Sequence, residues 1–199
     1  MDGNRWRLDG QVALVTGASA GIGLAIAREL AALGADLMLV ARGDDELRRA
    51  RDELARRHPT QDVRALAADV ADAGGRRAIL DWVEERAEGL HILINNAGGN
   101  VTKAAVDYTE DEWRGIFETN LFSAFELSRR AHPLLARQAA SCIVNVGSVS
   151  GLTHVRSGAI YGMTKAALHQ LTRNLACEWA PDGIRVNAVA PWYIRTRRT

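Results

Sequence analysis

Apolar residues along the chain fall into two alternating patterns. Short runs of β-branched and aliphatic residues occupy 12–16, 37–41, 63–67, 92–94, 143–146 and 186–189. Between them, stretches with apolar positions three and four apart occupy 22–33, 44–57, 73–87, 110–135 and 161–179. Runs that are apolar at nearly every position belong to strands covered on both faces. Strands alternating with helices imply right-handed crossovers, so the pattern predicts an α/β fold with a doubly wound parallel sheet. No repeat, low-complexity tract or linker interrupts it, and Pro and Gly fall mostly at the joints between elements. Residues 1–199 are expected to form a single domain.

Composition narrows the function classes. At 47% hydrophobic and 25% charged the chain has the makings of a sizeable core rather than a disordered polymer. Its 25 basic and 24 acidic residues are spread along the chain and leave a net charge of +1. That is no electrostatic footprint for nucleic acid, and a small neutral partner is favoured. No segment has the apolar length to cross a bilayer and the first eleven residues lack a signal-peptide stretch, so no membrane contact and a cytoplasmic location are expected. Cys142 and Cys177 are read as free, buried thiols in a reducing compartment, with no metal-ligand set near either.

The first strand runs into Thr16-Gly17-Ala18-Ser19-Ala20-Gly21-Ile22-Gly23 and then an amphipathic helix. Glycines at a strand-to-helix turn suit a pyrophosphate. Gly17 permits the tight turn, Gly21 lets backbone amides approach phosphate oxygens, and Gly23 lets the helix pack close with its dipole facing the anion. The spacing, G-x3-G-x-G, is a variant of the dinucleotide fingerprint, and by itself such a loop is weak evidence, a mere tight turn being the alternative. Ser19, Ala20 and Ile22 complete the candidate phosphate loop of a Rossmann-type fold.

The ends of the next strands extend the site. An acidic residue closing the second strand would hold the ribose hydroxyls of NAD, but Ala41-Arg42 stands there instead. Arg42 is either a solvated arginine or the partner of a 2′-phosphate, which favours NADP over NAD. Asp36, before the strand core, reads as a turn residue. Asp69 either accepts from an adenine amino group, with the Val70 amide donating to the ring, or caps a helix. In Asn95-Asn96-Ala97-Gly98, small residues allow the backbone to lie along a cofactor and asparagines can tie neighbouring strands together.

Tyr161 and Lys165 lie four apart in a helical stretch and share one face. A phenol at its ordinary pKa, about 10, is a poor acid–base group at neutral pH, and a fixed positive charge nearby favours phenolate. Taken alone the pair is a surface contact in many helices. Ser148 strengthens it, because it follows the strand 143–146 at the carboxyl edge where open α/β sheets bind ligands, and its hydroxyl can stabilise an oxyanion. A loop-capping serine is the alternative. Asn120, a poor helix former inside 110–135, either holds a water against Lys165 or points at solvent.

Together these residues resemble the classical short-chain dehydrogenase/reductase family over essentially the whole chain. Thr16-Gly17-x3-Gly21-Ile22-Gly23, Asn95-Asn96-Ala97-Gly98, Asn120, Ser148 thirteen positions before Tyr161, and Tyr161-x3-Lys165 appear in the family's order. Within it the chain is similar to the tropinone reductase-like branch, through Arg5-Trp6-x-Leu8, Val106-Asp107-Tyr108-Thr109, Ala131-His132-Pro133-Leu134-Leu135, Asn174-Leu175-Ala176-Cys177-Glu178-Trp179-Ala180 and Ala190-Pro191-Trp192-Tyr193-Ile194. The resemblance implies hydride transfer between NADP(H) and a small ketone or secondary alcohol. Tyr161 would be the proton donor, Lys165 would orient cofactor and favour phenolate, Ser148 would polarise the carbonyl and Asn120 would anchor a relay water. It further implies that Asp69, Val70, Asn96, Ala97 and Gly98 contact adenosine or ribose, and that Pro191, Ile194 and Thr196 border the nicotinamide carboxamide. A homo-oligomer, dimer or tetramer, is expected through the fourth and fifth crossover helices.

Three departures from the family pattern matter. Ala20 stands where NADP-preferring relatives often carry a basic residue, which leaves a 2′-phosphate mainly to Arg42. Gly147 replaces a common serine, with little expected effect. The family normally continues beyond Thr199 with a further strand, a substrate lid and an oligomer-forming segment, so the fold is expected to lack these, with Arg195, Arg197 and Arg198 a frayed basic tail. A 3-oxoacyl-thioester reductase, or a dinucleotide-binding protein without turnover, are the alternatives to a ketone reductase.

Overall fold

In the computed structural model, which describes residues 6–196, all six predicted strands form and pair in parallel. They are β1 (Val12–Thr16), β2 (Asp36–Ala41), β3 (Val63–Ala67), β4 (Ile92–Asn95), β5 (Ser141–Val146) and β6 (Ile184–Val189). The order across the sheet is β3-β2-β1-β4-β5-β6. Chain progress reverses direction between β1 and β4, which leaves a crevice at their carboxyl ends, the place where doubly wound sheets bind ligands.

Six helices connect the strands: α1 (Gly21–Ala32), α2 (Asp44–Arg57), α3 (Ala73–Arg86), α4 (Glu110–Phe117), α5 (Ser123–Ala136) and α6 (Ala159–Glu178). Strand side chains alternate between two covered layers. Leu14, Met38, Leu93 and Ile143 pack with α3, α5 and the end of α6, whereas Ala13, Val15, Leu37 and Leu39 pack with α1 and α2. On the second layer, Ala27 and Ala31 present only methyl groups to the sheet, so α1 lies close against β1 and its amino terminus meets the crevice.

Two expectations change. Asp36 is not a turn residue: it opens β2 opposite Val12, and its Oδ1 accepts from the Asp62 amide at 2.7 Å, joining β2 to the entry of β3. The stretch expected as one helix over 110–135 is α4 and α5 joined by a π-helical segment, Glu118–Phe122. A π segment widens the turn by one residue and re-aims a side chain that ordinary helical spacing would place elsewhere. Here the re-aimed side chain is Asn120, which is 1% exposed.

Candidate active site

The glycine loop closes the crevice on the β1 side. Gly17 and Gly21 have φ of +65° and +58°, a left-handed backbone that side chains disfavour. Gly23 is required for space instead, since a Cβ there would lie 2.2 Å from the Gly17 carbonyl oxygen and 2.5 Å from Nδ2 of Asn96. The amino terminus of α1 has no capping side chain and no acidic residue in its first turn. By contrast, α2 begins with three acids, Asp72 caps α3 and a Thr109–Glu112 capping box opens α4. Uncapped amides at a positive helix end, beside a tight glycine turn, fit a pyrophosphate. Ser19 and Ala20 are half-buried at this end.

Thr16 holds the two sides of the crevice together, a role the sequence reading missed. Its hydroxyl donates to the Ile94 carbonyl at 3.1 Å and accepts from the amides of Asn96 and Ala97 at 3.0 and 3.1 Å. Asn96 returns the contact, with Nδ2 donating to the carbonyls of Thr16 and Gly17 at 2.9 and 3.2 Å. Asn95 bridges in the other direction, to Asn145 of β5 and Ser128 of α5. A threonine closing a strand beside a glycine turn was the available signal, but its partners lie about eighty residues away.

At the carboxyl end of β2, Arg42 is exposed and has no ion pair among the described residues, so its guanidinium is available to an anion. Asp69 is not the helix cap. Its Oδ1 accepts from the Ala71 amide at 2.9 Å, while Asp72 caps α3 by accepting from Gly75. Gly75 then packs so tightly that a Cβ would lie 2.2 Å from the Asp69 carbonyl oxygen. The Val70 side chain is buried in the core, and its carbonyl accepts from Arg76 Nη1 at 2.8 Å.

Tyr161 and Lys165 lie on the first turns of α6, with Lys165 Nζ 5.7 Å from the Tyr161 ring centroid. Lys165 is 4% exposed and donates to the Val146 carbonyl at 2.8 Å. Burial pulls its pKa down from 10.5 to about 8, because charge is disfavoured away from water. Asn120 does not point at solvent. Its Oδ1 accepts from the Gly99 amide at 2.8 Å, and Nδ2 donates to the Gly99 carbonyl at 2.9 Å and to Thr164 Oγ1 at 3.2 Å. Gly98 sits between the two: a Cβ there would lie 3.2 Å from Asn120 Oδ1 and 3.7 Å from Lys165 Nζ.

Ser148 follows β5 and its hydroxyl accepts from the Ser150 amide at 3.1 Å, capping the single 3₁₀ turn Val149–Gly151. The capping role is therefore present, and it fixes the side chain at the strand's carboxyl end. That turn rests on α6: a Cβ on Gly151 would lie 2.5 Å from the Lys165 backbone, and one on Gly162 3.2 Å from the Ser150 carbonyl oxygen. At Gly147 a Cβ would lie 2.4 Å from Cε1 of His169, so a side chain there and the His169 ring would compete for one volume. Pro191 accepts from the Val149 amide at 3.2 Å, and Thr196 approaches the glycine loop, its Cγ2 3.5 Å from where a Gly21 Cβ would be. Ile194 is partly exposed between them. Arg5, Arg197 and Arg198 lie outside the described residues.

Elsewhere, Cys142 is half-buried in β5, where burial pushes its thiol up, and Cys177 is exposed on α6 rather than buried as expected. A cavity of about 510 Å³ opens at the opposite, amino-terminal edge of the sheet. Of its lining residues, Arg64 is paired to Asp62 and His91 Nδ1 accepts from the Val12 amide.

A dinucleotide-type crevice with a phenol, a buried ammonium and a hydroxyl at one end defines an oxidoreductase of the α/β class. Residues 11–199 match the family profile described as short chain dehydrogenase, and the chain belongs to that family. It is similar to the tropinone reductase-like branch: a tropinone reductase homologue of Arabidopsis thaliana is 47% identical over 196 residues, 96% of this chain and 72% of the relative. Among solved structures, L-sorbose reductase of Gluconobacter frateurii, complexed with NADPH and L-sorbose, superposes with a TM-score of 0.94 at 34% identity, over 97% of this chain and 73% of that one. The Pseudomonas aeruginosa RhlG/NADP active-site complex superposes with a TM-score of 0.91 at 35% identity, over 98% and 77%.

Proposed function

We propose that this protein is an NADP(H)-dependent carbonyl reductase and alcohol dehydrogenase acting on a small ketone or the matching secondary alcohol. The observation that carries this reading is the gathering of Tyr161, Lys165, Asn120 and Ser148 at the carboxyl edge of β4 and β5, beside the uncapped amino terminus of α1. The relatives solved with NADPH and with NADP support the choice of cofactor, as does the exposed Arg42, which has no ion pair among the described residues.

When bound, the dinucleotide supplies the hydride in reduction and accepts it in oxidation. Residues 17–23 would hold its pyrophosphate, Arg42 its 2′-phosphate, and Asp69, Val70, Asn96, Ala97 and Gly98 its adenosine and ribose, with Pro191, Ile194 and Thr196 lying beside its carboxamide. Ser148 Oγ donates to the substrate carbonyl oxygen, and Tyr161 Oη passes its proton to that oxygen, recovering it in the reverse direction. The buried Lys165 ammonium favours the phenolate left behind. Both donors of the Asn120 amide are committed, which leaves an acceptor site on Oδ1 for a relay water.

The exposed Phe122 and Phe125 on one helical face and Met163 on α6 support a homo-oligomer built through these helices. No helix among the described residues is long and apolar enough to cross a membrane, and we infer a cytoplasmic site of action.

NADPH oxidation against a panel of cyclic and open-chain ketones tests the reading. Turnover of at least one ketone is expected, with Tyr161→Phe lowering kcat by about 10²- to 10⁴-fold at unchanged NADPH affinity. Full activity in that variant would remove Tyr161 from its role. Turnover of 3-oxoacyl thioesters alone would reassign the substrate, and cofactor binding without turnover of any carbonyl would make the protein a dinucleotide-binding module.

A further inference from the structure

Gly147 and His169 share one volume. A Cβ on Gly147 would lie 2.4 Å from Cε1 and 2.8 Å from Nε2 of the ring, and one on Gly151 would lie 2.8 Å from Cδ2. Two glycines flanking Ser148 thus admit an imidazole that is itself only 7% exposed. The ring is used. Its Nε2 stands 3.1 Å from the carbonyl oxygen of Ser148. A carbonyl only accepts, so Nε2 carries the proton and donates.

The origin of that donor matters. Tyr161, Lys165 and His169 follow one another at four-residue intervals on α6 and so share a face. The turn bearing Ser148 is tied to the β6 side by the Gly147 amide on the Val189 carbonyl at 2.8 Å and the Val149 amide on the Pro191 carbonyl at 3.2 Å. Among the described residues, His169 supplies the hydrogen bond from α6 to that turn. One helix face therefore carries the phenol, the ammonium and the grip on the residue opposite them.

We infer that His169 is a positioning residue, which sets Ser148 relative to Tyr161 by holding the Ser148 carbonyl from the helix that carries the tyrosine. Gly147 is the accompanying requirement, since a side chain there would displace the ring, whereas at Gly151 a Cβ would meet the Lys165–Ala166 backbone before it met the ring. The inference rests on the reading of Ser148 as the carbonyl-polarising group. Displacement of a reacting group by about 1 Å costs on the order of 100-fold in rate, so the hydrogen bond is read most directly in kcat.

The test compares His169→Gln, which keeps a terminal donor, with His169→Met, which has similar length and none, in the intact protein with NADPH and a ketone it reduces. Gln is expected to keep kcat within about threefold of the parent and Met to lose about 10- to 100-fold, with the NADPH dissociation constant steady in both, because the glycine loop is untouched. Equal kcat in the two variants, or NADPH affinity falling in step with kcat, overturns the proposal. If the Met variant does not fold, Gly147→Ala evicts the ring without changing it, and the same selective loss of kcat is expected. An unchanged kcat there overturns the proposal equally. Hydrogen exchange at the amides of Ser150 and Gly151, which bond to Ser148, supplies a readout independent of turnover. Faster exchange in Met than in Gln sustains the positioning role even if no ketone is turned over, whereas equal exchange refutes it.

Discussion

Lys165 donates from Nζ to the carbonyl oxygen of Val146 at 2.8 Å, a contact that draws the ammonium out of water at the end of β5, 5.7 Å from the ring centroid of Tyr161. Because burial brings its pKa to about 8, the charge beside the phenol is lost within an accessible pH range. For ketone reduction, kcat/KM is expected to fall above about pH 8, approaching tenfold per unit, as Lys165 deprotonates in the free enzyme. A pH–rate profile with no descending limb between pH 7 and 10 would contradict this.

The same group acts on stability with a definite sign. Its folded pKa lies below the ordinary 10.5, so between about pH 8 and 10.5 the unfolded chain binds more protons, and Lys165 makes stability rise with pH there. Below that window the buried charge opposes folding by on the order of 3 kcal/mol. Lys165→Met is expected to melt at higher temperature than the parent at pH 7 while losing catalysis, and the difference in Tm should shrink toward pH 10. Thermal melts of both proteins across that range decide it.

Asn120 clamps Gly99 from both sides of its peptide and reaches Thr164. Asn120→Leu removes both hydrogen bonds to the half-buried Gly99 backbone and the one to Thr164, which keeps its bond to the Tyr161 carbonyl, and is expected to cost about 1–3 kcal/mol of stability in denaturant titration. The Gly98-Gly99 backbone, once released, should also weaken NADPH binding. A variant as stable as the parent would show that the clamp carries no net energy.

Gly23→Ala places a methyl group 2.2 Å from the Gly17 carbonyl oxygen, a clash of backbone with Cβ that no rotamer relieves. Dinucleotide binding is expected to fall below detection by calorimetry. The methyl is a sharper probe than one at Gly43, where a Cβ would meet nothing within 4 Å and binding should persist.

Arg42→Ala removes an exposed guanidinium that has no ion pair among the described residues. Loss of a charge-assisted contact to a 2′-phosphate is expected to weaken NADPH by about 10- to 100-fold and leave NADH nearly unchanged. Equal losses for both cofactors would place the phosphate elsewhere.

Much of this architecture was legible along the chain because burial is periodic. The inner strands β1, β2 and β4, buried at nearly every position, show as apolar runs, the edge strands β3 and β6 carry Arg64, Arg185 and Asn187 and show less plainly, and the glycine loop shows because glycine readily adopts the φ of +65° found at Gly17. The split of 110–135 was not legible. Asn120 gains three hydrogen bonds by departing from helical spacing, and those partners sit on the β4 loop and on α6, which a local pattern does not register. Along the chain Asp69 reads as one possible helix cap, but α3 begins at Ala73 and it is the Asp72 side chain that accepts from the Gly75 amide.

The sequence by itself therefore determined the order and kind of elements, the crevice that order creates, and the residue types that converge on it, because each follows from local periodicity or from the stereochemistry of single residues. The tertiary structure alone decided how the site is held: Thr16 bridging β1 to β4, Asn120 turned inward, Lys165 desolvated, and His169 filling the space beside Gly147. Each of these depends on two residues distant in the chain competing for, or sharing, one volume or one hydrogen bond, and that quantity exists only once the chain has packed.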